Sequence, residues 1–210
     1  MIGQIPVLPP ALDVAGTAVF ALTGALLAAR LRQSFVTVAF FALVTGVGGG
    51  SVRDVLIGVP AFWLSSPWVA PVVLVVALVA WFTPARIWPS RLLEWADAAG
   101  LASFSALGAA KALALGVAPL AAIVLGVVSG CVGGIIRDVL AGVPSILMRP
   151  ELYVTAAALS AALCAGMIMT GMGQTLSLGV AALAGFTLRG AAIAWKIELP
   201  AYSRLPPNAS

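Results

Sequence analysis

Two short segments of this sequence combine a glycine cluster with an adjacent arginine–aspartate pair. Gly46 to Pro60 reads GVGGGSVRDVLIGVP, and Gly130 to Pro144 reads GCVGGIIRDVLAGVP. Both lie in long apolar stretches, where a charge at the centre of a membrane helix costs about 2.5–3.5 kcal/mol. Four charged residues in such surroundings therefore indicate a specific pairing or a function. They are Arg53, Asp54, Arg137 and Asp138.

Three roles are open for these pairs. Each arginine could pair with an aspartate as a buried, neutral brace between the two halves of the chain. The pairs could instead line a polar path, or the arginines could extend to a membrane interface. Brace and lining are compatible, because neighbouring residues on a helix point about 100° apart. One member of a pair can bond across to the other half while the second caps a half-helix.

The glycine clusters predict a break or kink in each helix. Every glycine lowers helix propensity by about 1 kcal/mol, and three or four occur within five residues. A break in mid-membrane exposes carbonyls that lipid cannot satisfy, and such carbonyls suit a dehydrated monovalent cation. Nearby hydroxyls could contribute, or could bond back to their own helix. The predicted pathway residues are Thr45, Gly48, Gly49, Gly50, Ser51, Arg53, Asp54, Ser129, Gly133, Gly134, Arg137 and Asp138.

Composition assigns the chain to the polytopic membrane proteins. Hydrophobic residues make up 62% and charged residues 9%, against roughly 45–50% and about 25% in soluble domains. The net charge of +4 comes from scattered basic residues, which argues against a nucleic-acid partner. With no histidine and no nucleophile elbow, neither an enzyme, a metal site nor a cofactor is expected. Cys131 and Cys164 are interpreted as small buried apolar residues.

The apolar stretches predict an all-α fold, a single transmembrane domain over residues 1–210 with seven transmembrane helices. The predicted spans cover about residues 12–29, 34–60, 68–82, 97–115, 119–142, 152–170 and 176–195. Residues 1–10 should lie outside the bilayer, and the first span should be retained because no signal-peptide cleavage site is present. Asp13 is expected to cap the start of the first span.

The sequence also contains an internal duplication. Shifted by 84 residues, Asp13–Leu64 aligns with Asp97–Met148 without a gap, and about 20 of the 52 pairs are identical. We interpret residues 13–84 and 97–170 as three-helix repeats and 175–196 as an added seventh helix. Because three is odd, the second repeat enters the membrane from the opposite side. The second and fifth helices would both be kinked at their glycines.

Basic residues predict the orientation of the chain in the membrane. On the predicted topology they fall on one side, so the N-terminus should be outside and the C-terminus cytoplasmic. The residues counted are Arg30, Arg32, Arg86, Arg91, Arg149, Lys196 and Arg204. Arg189 is interpreted as a cytoplasmic anchor of the seventh span. Lys111 could extend outward to the interface, or could face a pore and respond to the membrane field.

With its inverted repeats, its GGG-x-x-RD and GG-x-x-RD motifs and the G-V-P turns that follow, the chain resembles the bacterial branch of the trimeric intracellular cation (TRIC) channels. The resemblance covers Asp13 to Trp195. It implies a homotrimer with one pore in each protomer, bent second and fifth helices, and permeation of K⁺ and Na⁺. It also implies a voltage-sensing role for Lys111. We expect the chain in a bacterial inner membrane, with membrane lipid as its other partner. Val132 stands where the first copy has Gly48, so the two breaks can differ in sharpness.

Three functions follow from these features. The leading hypothesis is a K⁺-permeable channel with a pore at the glycine breaks. The alternative is a secondary transporter of a small zwitterion such as glycine, because bacterial members of this family are also described as glycine transporters. In that case half-helix N-termini and Arg53 or Arg137 would hold the carboxylate. A non-conducting structural membrane protein would use the arginine–aspartate pairs only as braces.

Overall fold

A computed structural model describes residues 10–84, 87–89, 91–148 and 151–200. Within these ranges the chain forms seven α-helices, joined in two places by a short 3-10 turn. The helices are α1 (Pro10–Arg30), α2 (Phe35–Ile57), α3 (Val69–Phe82), α4 (Leu92–Ala114), α5 (Pro119–Leu140), α6 (Val154–Met169) and α7 (Gln174–Trp195). Residues 1–9 and three basic residues used above for orientation lie outside the described residues. These three are Arg86, Arg149 and Arg204.

The predicted spans correspond to these helices in number and order. Four helices, α1, α2, α5 and α7, are long and apolar enough to cross a membrane by length and composition. The apolar helices α3 and α6 are shorter, with 14 and 16 residues. Helix α4 has 23 residues and contains Glu94, Asp97 and Lys111. The all-α membrane architecture expected from composition is therefore confirmed.

Two helix starts differ from the prediction. Helix α4 begins at Leu92 rather than Asp97, because Trp95 has a packing partner on α7 in Phe186, with ring centroids 5.9 Å apart. Asp13 is not a cap, since α1 begins at Pro10 and places Asp13 inside its first turn. The Oδ1 atom of Asp13 is buried and accepts no hydrogen bond within the described residues.

Helices α2 and α5 cross in backbone contact at their glycine clusters. A Cβ atom at Gly49 would overlap the carbonyl oxygen of Ser129, and one at Gly133 would lie 2.7 Å from the carbonyl oxygen of Thr45. These two contacts are equivalent under the 84-residue shift. Thr45 precedes Gly49 in α2, whereas its neighbour Gly133 follows Ser129 in α5. The two equivalent helices therefore run antiparallel, as an inverted repeat requires.

A second contact between the repeats obeys the same symmetry. The rings of Phe20 and Phe104 meet with centroids 5.4 Å apart, and these residues are equivalent under the shift. Gly16 packs against the Phe104 ring, while a Cβ at Gly100 would lie 3.1 Å from the Phe20 ring. Helices α1 and α4 thus cross antiparallel as well. The pseudo-two-fold axis passes between the two phenylalanines and between the two glycine clusters.

Of the predicted break or kink, the break is wrong, whereas the kink within a continuous helix stays a prediction. Helix α2 continues without interruption from Phe35 to Ile57, and α5 from Pro119 to Leu140, so the glycine clusters lie within regular helix. No half-helix end with bare carbonyls is present in either element. The glycines instead remove the side chains that would keep the two backbones apart, and this contact outweighs their low helix propensity.

Each of the two helices ends at a glycine in the left-handed conformation. Gly58 has φ 82° and Gly142 has φ 65°, a region that residues with a Cβ rarely adopt. These are the glycines of the two G-V-P sequences, so the motif marks the reversal of the chain after α2 and α5. Each reversal leads into a 3-10 turn, Phe62–Leu64 or Ile146–Met148.

The helix crossing predicts an unequal tolerance of glycine substitutions. Gly49→Ala should lower the unfolding free energy by about 1–3 kcal/mol, because the new methyl group overlaps the α5 backbone. Gly166→Ala in α6 is the matched control, since no atom outside the local helix backbone lies within 4 Å of its Cβ position. Its greater helix propensity should leave stability unchanged or slightly higher. Thermal unfolding in detergent measures both, and equal losses would contradict the contact.

Candidate charged site at the crossing of α2 and α5

The aspartates of the two motifs cap the turns that follow their helices. Oδ2 of Asp54 accepts the backbone N–H of Phe62 at 2.8 Å, and Oδ2 of Asp138 accepts the N–H of Ile146 at 2.9 Å. Both aspartates are buried, so these hydrogen bonds satisfy N–H groups that water does not reach. The eight-residue spacing is identical in the two copies. It fixes each carboxylate at the end of its helix.

The first cluster consists of Asp13, Arg53, Asp54 and Lys111. Oδ1 of Asp54 accepts from Arg53 Nε and from Lys111 Nζ, both at 2.8 Å. The Arg53 side chain is fully buried, whereas that of Lys111 is 17% exposed. Asp13 lies within electrostatic range of Arg53 and Lys111 but forms no ion pair with them. The cluster is formally neutral, with two cations and two carboxylates.

Arg53 is not saturated by these contacts. Its Nη1 and Nη2 atoms are buried and donate no hydrogen bond within the described residues. Its guanidinium lies 6.0 Å from the centroid of the Phe62 ring, a distance at which a cation–π attraction operates. A buried guanidinium with free N–H groups is costly, so this position favours an oxygen ligand.

The second cluster consists of Asp97, Arg137 and Asp138, with Thr23 from the first repeat. Arg137 Nη1 donates to Asp97 Oδ1 at 2.8 Å and to Thr23 Oγ1 at 3.0 Å. Arg137 Nε donates to Asp138 Oδ1 at 2.9 Å. One cation faces two carboxylates here, so the second cluster has a formal charge of −1. Asp97 Oδ2 and the hydroxyl of the neighbouring Tyr153 have no hydrogen-bond partner within the described residues.

Equivalent residues are therefore bonded differently in the two clusters. The Asp97–Arg137 bridge of the second repeat has no counterpart between Asp13 and Arg53. Lys111 supplies the additional cation in the first cluster, and its equivalent in the first repeat is Leu27. The arginine–aspartate pairs themselves lie within single repeats. The links between repeats are Lys111 to Asp54 and Arg137 to Thr23.

The three predicted hydroxyls fall into two groups. Ser51 Oγ donates to the carbonyl of Val47 at 2.7 Å and accepts from Trp63 Nε1 at 3.0 Å, so its bond back to its own helix is confirmed. Thr45 Oγ1 and Ser129 Oγ make no such bond. Both are buried beside the crossing and have no hydrogen-bond partner within the described residues.

The remaining predicted glycines pack against side chains of the site. A Cβ at Gly50 would lie 2.6 Å from the Phe62 ring, and one at Gly134 would lie 2.9 Å from the Tyr153 hydroxyl. Gly48 faces the end of Ile136, 3.0 Å from its Cβ position. The glycine clusters therefore permit close packing on several faces of α2 and α5.

Two predictions for single basic residues are corrected. Lys111 does not extend outward to the interface, because its ammonium pairs with Asp54. Arg189 is not an exposed anchor, since it is 1% exposed and bridges to Glu151 at 2.6 Å. It also lies 5.4 Å from the centroid of the Tyr153 ring. Lys111 is held by its ion pair with Asp54, and Arg189 by its ion pair with Glu151 and its contact with the Tyr153 ring.

Sequence reasoning did not assign Asp97, Thr23 or Tyr153 to the site. Asp97 carried a signal, because it matches Asp13 under the 84-residue shift although both lie in apolar surroundings. Thr23 and Tyr153 carried none, since their equivalents in the other repeat differ. Cys131 and Cys164 are buried free thiols, as expected.

Because the equivalent carboxylates Asp13 and Asp97 are bonded differently, substituting them should have unequal effects on stability. Asp97→Asn should destabilise the protein by about 1.5–3 kcal/mol, because it replaces the charge-assisted bond to the buried Arg137, which keeps Asp138 as its carboxylate partner. Asp13→Asn is the matched control and should cost about 1 kcal/mol or less, because Asp13 Oδ1 has no partner within the described residues. Thermal unfolding of both variants provides the measurement. Equal losses would show that the two carboxylates are bonded alike.

The chain is similar to a protein family model and to individual bacterial proteins over most of its length. A family model described as "Glycine transporter" matches it twice, over residues 10–85 and 94–169. The UPF0126 inner membrane protein YadS of Escherichia coli K12 is 38% identical over 200 residues, covering 91% of this chain and 95% of that protein. A UPF0126 membrane protein of Vibrio cholerae is 36% identical over 197 residues, covering 91% and 82%.

Solved structures show the same fold. A TRIC trimeric intracellular cation channel orthologue from Rhodobacter sphaeroides superposes with a TM-score of 0.82 at 38% identity, covering 89% of this chain and 97% of that one. A prokaryotic TRIC channel determined in 0.5 M KCl gives a TM-score of 0.81 at 28% identity, covering 90% and 97%. The chain therefore belongs to the bacterial branch of the TRIC family of integral membrane proteins, which the glycine-transporter model also describes.

Proposed function

We propose that the protein is a channel for monovalent cations, with a path for K⁺ and Na⁺ through each protomer. The path follows the crossing of α2 and α5 and connects the first cluster to the second. The Rhodobacter sphaeroides relative is described as a cation channel and the second solved relative as a channel, which supports this assignment over an enzymatic or purely structural role. The proposed lining residues are those predicted from the sequence, with Asp97 added.

The observation that carries this proposal is a series of buried polar atoms without partners along the crossing. Arg53 lies at one end of it, Thr45 and Ser129 beside it, and Asp97 at the other end. Buried hydroxyl and carboxylate oxygens without hydrogen bonds are costly in a protein interior. Because the α2 and α5 backbones are in contact, the cation would pass beside the crossing rather than between the two helices, and would satisfy these oxygens in turn.

The two charged clusters lie at opposite ends of the proposed path and differ in formal charge. Arg53 and Arg137 lie one turn beyond the contacting glycines of two antiparallel helices, so the clusters are roughly 18 Å apart along α2, at 1.5 Å per residue. The second cluster has an excess of one carboxylate, which attracts cations. The first cluster is neutral only because of Lys111, so this lysine sets the electrostatic potential at that end.

Lys111 is proposed as the voltage-sensing residue. Its ammonium is partly exposed and is held by a single carboxylate oxygen of Asp54. A full crossing of the membrane by one charge is worth about 2.3 kcal/mol per 100 mV, and a partial movement of Lys111 would contribute a fraction of that energy to gating. A voltage that moves Lys111 away from Asp54 would leave the first cluster negative and open to cations.

Assembly and orientation are part of the same proposal. We infer a homotrimer, because the Rhodobacter sphaeroides relative is described as trimeric. We infer a bacterial inner membrane location from the description of YadS. Arg30, Arg32 and Lys196 support a cytoplasmic C-terminus and an outer N-terminus. No nucleic acid or cofactor enters this function.

Transport of glycine is the second candidate, and one observation favours it. The free Nη1 and Nη2 groups of Arg53 lie in the same cluster as the unpaired Oδ1 of Asp13. A zwitterion could place its carboxylate on Arg53 and its ammonium on Asp13. The description of the matching family model agrees with this candidate. Such a carrier would saturate with glycine and would give no unitary currents.

Reconstitution distinguishes the two candidates. Purified protein in a planar bilayer with symmetric KCl should give discrete single-channel currents, and proteoliposomes should show no saturable uptake of labelled glycine. Protein-free bilayers and vesicles provide the background. Saturable glycine uptake without unitary currents would reject the channel and support the carrier.

Lys111→Met tests the path at the first cluster. Removing one charge about 6 Å from a permeating cation changes its energy by about 0.7 kcal/mol in water, so K⁺ conductance should rise about threefold. The voltage dependence should weaken at the same time, because the mobile charge is gone. Lys111→Arg is the control that keeps both charge and voltage dependence. Unchanged conductance and voltage dependence in Lys111→Met would place Lys111 outside the path.

A further inference from the structure

A groove opens between the C-terminal ends of α1 and α3, away from the charged clusters. Its volume is about 370 Å³. Its floor is apolar and comprises Leu26, Ala29 and Ala80. Around this floor stand six polar or aromatic residues: Arg30, Arg32, Gln33, Trp81, Thr83 and Trp88. Among the described residues that line the groove there is no carboxylate, and Arg30 and Arg32 give this lining a positive charge.

The walls of the groove are held by specific contacts. Trp88 Nε1 donates to Thr83 Oγ1 at 2.9 Å, which fixes the Trp88 ring. Arg30 Nη2 donates to the carbonyl of Pro89 at 3.1 Å and joins the end of α1 to this connection. On the opposite wall, Trp81 packs edge-on against Phe35 with centroids 5.8 Å apart. The groove is therefore built into the fold.

Arg32 occupies the left-handed position at which α1 ends, where the fold does not require an arginine. Its φ is 55°, in the left-handed region that non-glycine residues avoid. The equivalent residue of the second repeat is Gly116, with φ 79°. A glycine would thus be the unstrained choice after α1. The Arg32 side chain is exposed and makes no hydrogen bond or ion pair within the described residues.

The polar side of the groove is specific to the first repeat. Under the 84-residue shift, Ala114, Gly116 and Val117 stand at the positions of Arg30, Arg32 and Gln33. The second repeat forms the same helix and the same left-handed ending with these residues. A three-helix repeat therefore folds without the polar groups. Their presence in one copy agrees with the bias of basic residues toward the cytoplasmic side, where anionic lipid headgroups are also concentrated.

We propose that this groove binds the headgroup of an anionic phospholipid. Guanidinium groups recognise phosphate by paired, charge-assisted hydrogen bonds, and Arg32 is free to make them. Gln33 and the region around Thr83 add polar partners at the mouth. Trp81 and Trp88 lie where amphipathic rings contact the headgroup level of a bilayer. Basic pockets between membrane helices are suited to anionic lipid headgroups.

The apolar floor favours a lipid over free phosphate. Leu26 and Ala80 are buried at the base of the groove and offer an acyl chain a continuous apolar surface. A free phosphate ion would use the mouth only and gain nothing from this floor. The inference does not depend on the proposed channel function, because it concerns a different face of the molecule.

Native mass spectrometry of the purified protein provides the test. The probes are phosphatidylglycerol, phosphatidylcholine with the same acyl chains, and inorganic phosphate. The wild-type protein should bind phosphatidylglycerol about five- to tenfold more tightly than phosphatidylcholine, and millimolar phosphate should not displace it. Arg32→Gly should abolish this preference. Because glycine suits the left-handed backbone, the variant should unfold at the same or a higher temperature.

Lys196→Gly is the matched control. Lys196 is also an exposed basic residue in the left-handed conformation, φ 53°, at the end of α7 and outside the groove. Its removal should leave phosphatidylglycerol binding unchanged. An equal loss in Lys196→Gly, or an unchanged preference in Arg32→Gly, would overturn the proposal. Displacement of the lipid by phosphate would also overturn it, because the ligand would then be the free ion.

Discussion

The backbone contact between α2 and α5 is the constraint on which the rest of the structure depends. Two helices can approach this closely only where neither carries a side chain, and Gly49 and Gly133 meet that condition together. Because the two helices are equivalent and antiparallel, the residues one turn beyond the contact on α2 and those one turn beyond it on α5 lie at opposite ends of the contact. Arg53 and Arg137 are thereby kept apart, and each must find its own carboxylates.

Burial then decides how these charges are arranged. An uncompensated charge in the interior costs several kcal/mol, so every arginine and lysine of the site faces at least one aspartate. Asp54 and Asp138 also serve the backbone, since each accepts an N–H from the turn that follows its helix. One residue type at one spacing thus terminates a helix and neutralises a cation. The structural role and the proposed ion path share the same atoms.

The duplication, the seven helices and their order could be predicted because they depend on patterns within the sequence. Identity at 84-residue spacing and the length of the apolar stretches suffice for that. The glycine clusters were misjudged, because local propensity alone does not reveal that Ser129 and Thr45 carbonyls lie where a Cβ would be. Packing between distant segments overrides propensity in such cases.

The pairing of charges was predictable only in part. The motif itself places Arg53 beside Asp54 and Arg137 beside Asp138, and the structure shows these pairs bonded. Which further groups join them depends on contacts 40 or more residues apart in sequence, such as Arg137 with Asp97 and Lys111 with Asp54. Two copies of one motif are chemically equivalent in sequence. Their surroundings, supplied by the opposite repeat, make them different.

The contact between Phe20 and Phe104 has a consequence for how this architecture could arise. A residue that packs against its own equivalent is the hallmark of an isologous interface, in which two identical subunits meet through one shared surface. Two separate three-helix chains inserted in opposite orientations could form the same contact. Once the two repeats are covalently joined in one chain, their sequences no longer have to be identical. Lys111 opposite Leu27, and Gly116 opposite Arg32, are differences that two identical chains could not carry.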